Sequence, residues 1–459
     1  MNFVQLEYPI FLLLVLIIVW ATSALAWRKV IVLGASVYFY AYWDYRFLIL
    51  LASSTMLDFG MGIALGHYSN ATLRRVLLGF SIVGNLGVLG FFKYYNFFVE
   101  SAQELFSGWG LHGGTLSILL PIGISFYTFQ TLSYSIDVYR RTLSPCRNLL
   151  DFSIYVMFFP QLVAGPIVRA SEFLPQLNHA PAVALRSLYP GLIQILRGFV
   201  KKVLIADQLG TFVDPVFAAP QVFSALTILL AIVAYAGQIY GDFAGYTDIA
   251  IGSARLLGFR LPENFRHPYL AASIGDFWHR WHITLSTWLR DYVYIPLGGN
   301  RRGSIRTYIN LMVTMLLGGL WHGAAWNFVA WGAWHGTALC VERWFSRGGT
   351  PQASVARGVV TFLVVLFGWT LFRCSTMSQW TMLVGSLFFN FDGFLWLPPL
   401  PLIALTLLIG EHWLWMTRWR DVLRLGVESW LTPWIVGFAI AALVLFAPQD
   451  AKPFVYFQF

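Results

Sequence analysis

Two tryptophan-histidine pairs, Trp321-His322 and Trp334-His335, stand in a stretch from Leu311 to Leu339 that holds no Lys, Arg, Asp or Glu. A third histidine, His282, closes the run Trp278-His279-Arg280-Trp281-His282, 40 residues before His322. Imidazole gives and takes a proton near neutral pH, and a polar ring in apolar sequence needs a partner or a task. Burial favours the neutral ring, which is the form a general base requires. His322 is the leading candidate. Gly319 and Gly323 permit close approach of a backbone or ligand, and Trp321 and Trp326 could wall an acyl-sized slot. His335, followed by Gly336, reads first as a packing residue and second as another polar wall. For each ring a structural hydrogen bond to a neighbouring helix is the competing reading.

On a continuous helix His282, Ser286 and Leu289 share a face, so His282 and Ser286 could reach one buried partner. An interfacial helix anchored by Trp and Arg is the alternative. Arg280, Arg290, Arg301 and Arg302 could meet the phosphates of an anionic donor, or serve as positive-inside anchors. Asp242 and Asp248 are unfavourable at membrane depth unless paired, and pairing with cytoplasmic arginines is expected. A metal or haem is not expected. His322 and His335 are 13 residues apart, and on one continuous helix they would face nearly opposite ways. His267 is a poor ligand beside Pro268, and Cys146, Cys340 and Cys374 are scattered.

The run Pro453-Phe454-Val455-Tyr456-Phe457-Gln458-Phe459 is unfavourable in water and should lie in the interface or enter the protein. From Pro448, eight extended residues would carry Tyr456 roughly 26 Å, from an outer surface to mid-membrane. Tyr456 could therefore meet His322 from outside. An aromatic-belt anchor is the other reading.

The elements that must position these groups are membrane helices. The chain of 459 residues is 58% hydrophobic and 11% charged, and its mean hydropathy is +0.65. Apolar runs recur at Phe11–Trp27, Phe47–Ala64, Val76–Phe92, Phe223–Tyr240, Gly358–Phe372 and Trp434–Ala447. They are too long for barrel strands, which leaves an all-α polytopic bundle. Glu7 before the first run and Arg28 and Lys29 after it indicate an uncleaved anchor with its N-terminal flank outside. Arg74, Arg75, Arg140, Arg141, Lys201 and Lys202 then mark inner loops, with the His112 region outside. Residues 255–306 carry eight Lys or Arg against three acids and should be cytoplasmic; Arg418, Arg420 and Arg424 mark a later inner loop. The net charge of +9 is thus a topology signal, and no nucleic-acid partner is expected. Pro160, Pro166 and Pro175 break the 151–186 segment, which should re-enter without crossing, as should the amphipathic 274–297 segment. Irregular backbone at that depth implies a central tunnel or chamber. No internal repeat is evident, which weakens an inverted-repeat transporter reading.

Several motifs then fall into one pattern. They are Asn264-Phe265-Arg266-His267-Pro268-Tyr269, Phe277 to His282, Pro296-Leu297-Gly298-Gly299-Asn300-Arg301 and Gly318-Gly319-Leu320-Trp321-His322-Gly323, with Pro121–Phe126, Gly165-Pro166-Ile167 and Asp242–Gly252 upstream. Together they resemble the membrane-bound O-acyltransferase family, nearest its bacterial alginate O-acetyltransferase-like branch. The resemblance implies one membrane-embedded domain over 1–459 of about 11–12 transmembrane helices around a tunnel, with an extracytoplasmic aromatic tail at 448–459. It implies a multi-pass protein of the bacterial inner membrane in contact with membrane lipid, and the positive-inside pattern places both termini on the periplasmic side. It also implies acyl transfer from a cytoplasmic thioester, acetyl-CoA being the expected co-substrate with no bound cofactor, to a cell-envelope exopolysaccharide. His322 would be the catalytic histidine and His282 a second chamber residue, with Trp321, Trp326, Ser286, Arg280, Arg290 and Arg301 lining the tunnel or binding donor. The tail is similar to a small membrane peptide of the D-alanine transfer system, so Tyr456 would be the acyl acceptor that an SGNH-type periplasmic partner unloads. A transporter or channel for a lipid-linked or acyl substrate is the alternative from another class.

Overall fold

The computed structural model describes residues 1–5, 7–107, 114–163, 165–178, 185–346, 354–416 and 430–446. Tyr456 with the 448–459 tail, His112, Arg418, Arg420 and Arg424 lie outside the described residues. The architecture is all-helical. Extended pairing among the described residues amounts to one isolated bridge between Phe223 and Phe394. Contacts divide the chain into two compact units, Met1–Leu192 with Ala250–Pro262, and Ile193–Ile249 with Glu263–Phe459.

The first unit contains α1 (Glu7–Ala21), α2 (Leu25–Asp44), α3 (Phe47–His67), α4 (Ala71–Leu89), α5 (Tyr95–Leu105), α6 (Ile124–Arg140), α7 (Leu149–Met157), α8 (Phe159–Leu162) and α9 (Ala170–Phe173). The first apolar run is not one helix. α1 stops at Ala21, and α2 starts at Leu25 after a non-helical link, where the Arg28 guanidinium donates to the Thr22 carbonyl. Lys29 is held by Asp151 at 2.7 Å. Arg74 is buried and donates to the carbonyls of Leu65, Tyr68, Val138 and Tyr139, so it ties α3 and α4 to the end of α6. Asp58 of α3 is enclosed and accepts from Ser81 (2.5 Å), Asn85 (2.6 Å) and Ser135 (2.6 Å). A fully hydrogen-bonded carboxylate of this kind interlocks three helices, because separating them would leave it without partners in apolar surroundings.

α10 (Leu185–Phe199) runs into a π-helical turn, Val200–Ala206, then α11 (Asp207–Ala218) and α12 (Ala225–Leu256). In the second unit Gly245 lets α12 come so near that a Cβ there would sit 2.8 Å from the Gly198 carbonyl oxygen and 2.9 Å from the Lys202 nitrogen. That crossing sets the acid partners. Lys202 reaches Asp242 at 2.6 Å and Asp207 at 2.7 Å with all three buried, and Lys201 reaches Asp248 at 2.7 Å. Asp242 and Asp248 therefore pair with lysines one helix away, a correction to the arginine partners expected for them. The π turn, which widens the helix by one residue, is where both lysines sit.

Downstream come α13 (Ile274–Arg280), α14 (Ile283–Leu289), α15 (Ser304–His322), α16 (Trp326–Phe345), α17 (Val355–Arg373), α18 (Met377–Phe389), α19 (Pro399–Met416) and α20 (Thr432–Phe446). α15 and α16 form an antiparallel hairpin: a Cβ at Gly332 would meet the Met315 carbonyl oxygen at 2.5 Å, and one at Gly319 would strike the Phe328 carbonyl. Between lipid-embedded helices, association rests on van der Waals contact, so small residues at the crossing matter more than apolar area. Among the described residues, five helical segments are long and apolar enough to cross a membrane: Phe47–His67, Ala71–Leu105, Ala225–Leu256, Val355–Arg373 and Pro399–Met416. α1 and α20 are shorter apolar helices that expose Leu13, Leu14, Ile17, Phe438, Val444 and Leu445, as a lipid-facing surface does. The protein is a polytopic helical membrane protein.

Candidate active site

His282 owes its position to a chain break. Ser273 caps α13 by accepting from the Asp276 N–H at 3.1 Å. The Glu342 carboxylate of α16 accepts from the N–H groups of Ile274 and Gly275. The helix ends at Arg280, Trp281 is extended, and His282 takes a left-handed conformation at φ 42°. For a residue with a Cβ this costs about 1–2 kcal/mol. Asn264 offsets it: its carbonyl accepts from the Ile283 N–H at 3.0 Å, and its Oδ1 accepts from the Thr284 N–H at 3.1 Å and hydroxyl at 2.9 Å. Ser286 is tied to the chain break itself. Its hydroxyl donates to the Trp281 carbonyl at 3.2 Å, because His282 is the cap before α14 and not a residue within it.

His322 is the last residue of α15, so it and His335 of α16 lie on two helices of a hairpin instead of one continuous helix. The opposite-face geometry expected for them therefore does not apply. Trp331 packs between them, 5.1 Å from the His322 ring and 4.9 Å from the His335 ring. Gly319 and Gly323 provide close approach, but to Phe328 of the same hairpin, whose carbonyl and ring occupy the space beside them.

The two breaks bring His282 and His322 together. Their ring centroids are 6.4 Å apart, and both rings are buried. Two imidazoles at this spacing can both reach an atom lying between them within the roughly 2.6–3.2 Å that proton transfer needs. Trp321 packs on both, at 5.6 Å from His282 and 5.0 Å from His322. Phe243 of α12 meets His282 edge-on at 4.6 Å, and Phe372 of α17 meets His322 at 5.2 Å. His282 lies between the candidate spans, and burial pushes its ring down to about 3, so it is neutral at physiological pH. A neutral ring can donate from one nitrogen and accept at the other.

His335 is wholly buried among Trp278, Trp331 and Phe277, and neither of its nitrogens has a hydrogen-bond partner among the described residues. It stands one tryptophan away from His322. Trp326 is 56% exposed at the start of α16. Arg280 is paired with Asp276 at 2.8 Å and Arg290 with Asp291 at 2.7 Å, and Arg301 is exposed. Asn264, Phe243, Trp331 and Glu342 were not singled out from their types. Asn264 and Phe243 fall inside the recurring motifs, which is the signal that marks them; Trp331 and Glu342 carry no such signal. The fold also brings His267 to Glu411 and His412, a grouping with no sequence spacing to reveal it.

An all-helical membrane protein with two neutral-capable imidazoles converging among aromatic rings has the equipment for proton-coupled group transfer away from water. Residues 140–378 match the family model of MBOAT, the membrane-bound O-acyltransferase family. The chain is 44% identical to the probable alginate O-acetylase of Pseudomonas aeruginosa over 386 residues, 83% of this chain and 72% of that one. It is 35% identical to the peptidoglycan O-acetyltransferase of Helicobacter pylori, over 75% of this chain and 71% of that one. Similarity extends to the teichoic acid D-alanyltransferase of Bacillus subtilis at 28% identity, over 55% of this chain and 68% of that one. The chain belongs to the membrane-bound O-acyltransferase family, in the branch that resembles alginate O-acetylases, and is an O-acyltransferase.

Proposed function

We propose that the protein relays an acetyl group from cytoplasmic acetyl-CoA across the bacterial inner membrane for O-acetylation of a cell-envelope exopolysaccharide such as alginate, cellulose or peptidoglycan. The observation that carries this reading is the convergence of buried His282 and His322 at 6.4 Å. The names of the relatives, alginate and peptidoglycan O-acetyltransferases, support the substrate class. His322 takes the phenol proton of Tyr456, and the phenolate oxygen attacks the thioester carbonyl. The carbon–sulfur bond breaks, the imidazolium returns the proton to the departing thiolate, and an acyl-tyrosine ester remains. His282, with an N–H to donate, steadies the oxyanion. A periplasmic SGNH-type partner then collects the acetyl group from the aromatic run that carries Tyr456. Arg301 is free to meet donor phosphates, while Arg280 and Arg290 would first exchange their aspartates. In cells relying on this chain alone, His322→Ala and Tyr456→Phe should each abolish polymer O-acetylation at unchanged protein level. Full acetylation in either variant contradicts the reading.

A further inference from the structure

We propose that His267, Glu411 and His412 form a divalent-cation site whose chemistry suits zinc. Each residue offers one ligand atom, and the three atoms lie within 4.8 Å of one another. They come from two places in the second unit: His267 directly precedes the Pro268–Leu270 turn, and Glu411 and His412 are neighbours near the end of α19. His267 Nδ1 lies 3.7 Å from one Glu411 oxygen, and His412 Nδ1 lies 2.9 Å from the other. His267 Nδ1 and His412 Nε2 are buried and have no hydrogen-bond partner among the described residues.

The donor set decides the ion. Two imidazoles and one carboxylate are the set that zinc accepts with a fourth position open, whereas calcium and magnesium call for more oxygens. A tetrahedral zinc with bonds of about 2.0–2.2 Å places its ligand atoms roughly 3.3–3.5 Å apart, so the cluster needs about 1 Å of closure by side-chain rotation. The charge balance leaves room for a cation. Lys201 is near enough to act on Glu411, but its ammonium already binds Asp248 at 2.7 Å, and that pair is neutral. Aromatic rings hold the imidazoles: Trp415 packs on His267 at 4.4 Å, and Tyr240 meets His412 edge-on at 5.1 Å. The His412 Nδ1 contact with the Leu408 carbonyl at 3.1 Å supplies the outer hydrogen bond that metal-binding histidines use to fix their rings.

An ion here clasps the segment that begins with Asn264 to α19. Asn264 is the residue that holds the chain break at His282, so the clasp positions His282 from a distance without touching reactants. The site stands independently of the acyl-relay reading, because its test needs no turnover.

The test uses the full chain in detergent, stripped with a chelator and titrated with zinc chloride alone, with metal content and calorimetry as readouts. The expected result is one zinc per chain, with affinity lowered at least about 100-fold in His267→Ala and in His412→Ala. Glu411→Gln, which keeps side-chain volume, guards against a folding artefact and should also weaken binding while elution and helical content stay unchanged. Absence of stoichiometric zinc, binding undiminished in the His267→Ala/His412→Ala double variant, or binding lost on His282→Ala instead would overturn the proposal.

Discussion

His282 and His322 meet because each stands at the end of a helical segment, where the chain can turn a ring inward. The left-handed backbone at His282 depends on Asn264, whose two oxygens accept three bonds from Ile283 and Thr284. Asn264→Ala removes the two side-chain hydrogen bonds that Thr284 donates to Oδ1, so stability should fall by about 1–3 kcal/mol in thermal unfolding in detergent, with turnover reduced beyond that loss. His322→Gln, which removes the base without opening a large cavity, should lower acyl transfer roughly 10²–10⁴-fold, the range for removing a general base, while leaving the unfolding temperature near its original value. The buried His282 ring also gives a pH signature. Burial lowers it from 6.5 to about 3, so between those values the unfolded chain binds a proton that the folded chain does not. Stability contributed by the neutral ring is thus present above pH 6.5 and lost as pH falls toward 3. Chemical unfolding across that window should show a shallower acid loss in His282→Gln than in the parent. The histidines were legible as residue types in apolar sequence; their convergence was not, since it depends on breaks after Arg280 and after His322 that no periodicity announces.

At the scale of elements, helix identity was more legible than helix ends or partners. The runs at Phe47, Gly358 and Trp434 match α3, α17 and α20 closely, because uninterrupted apolar residues leave helix as the way to satisfy the backbone in lipid. The first run divides into two helices, since apolar character continues across residues 22–24 while the helix does not. The partners of Asp242 and Asp248 are lysines and not the arginines that sequence suggests, because pairing depends on the Gly198–Gly245 crossing that brings Lys201 and Lys202 alongside, which is a tertiary fact. Lys202→Met leaves two buried carboxylates facing each other without their cation, and it should destabilise the second unit by about 3–5 kcal/mol, read as a lowered unfolding temperature. Gly332→Val would drive a side chain into the Met315 carbonyl and force α15 from α16, displacing His322 with it. Its expected signature is loss of acyl transfer together with earlier unfolding, in contrast to His322→Gln.

For the whole molecule, composition alone established a helical membrane protein, and the motifs established the family, which the comparisons confirm. The transporter alternative differs in one consequence: a pore keeps its flux without a base, whereas a relay stops. In the proposed relay His322 activates Tyr456 to take the acyl group. The most direct measurement of that step is the intact mass of the peptide bearing Tyr456 after the purified protein is incubated with acetyl-CoA. The relay requires one added acetyl group on Tyr456 in the parent protein and none in His322→Ala. An unmodified Tyr456 in a preparation that acetylates polymer, or equal modification in the two proteins, would contradict it.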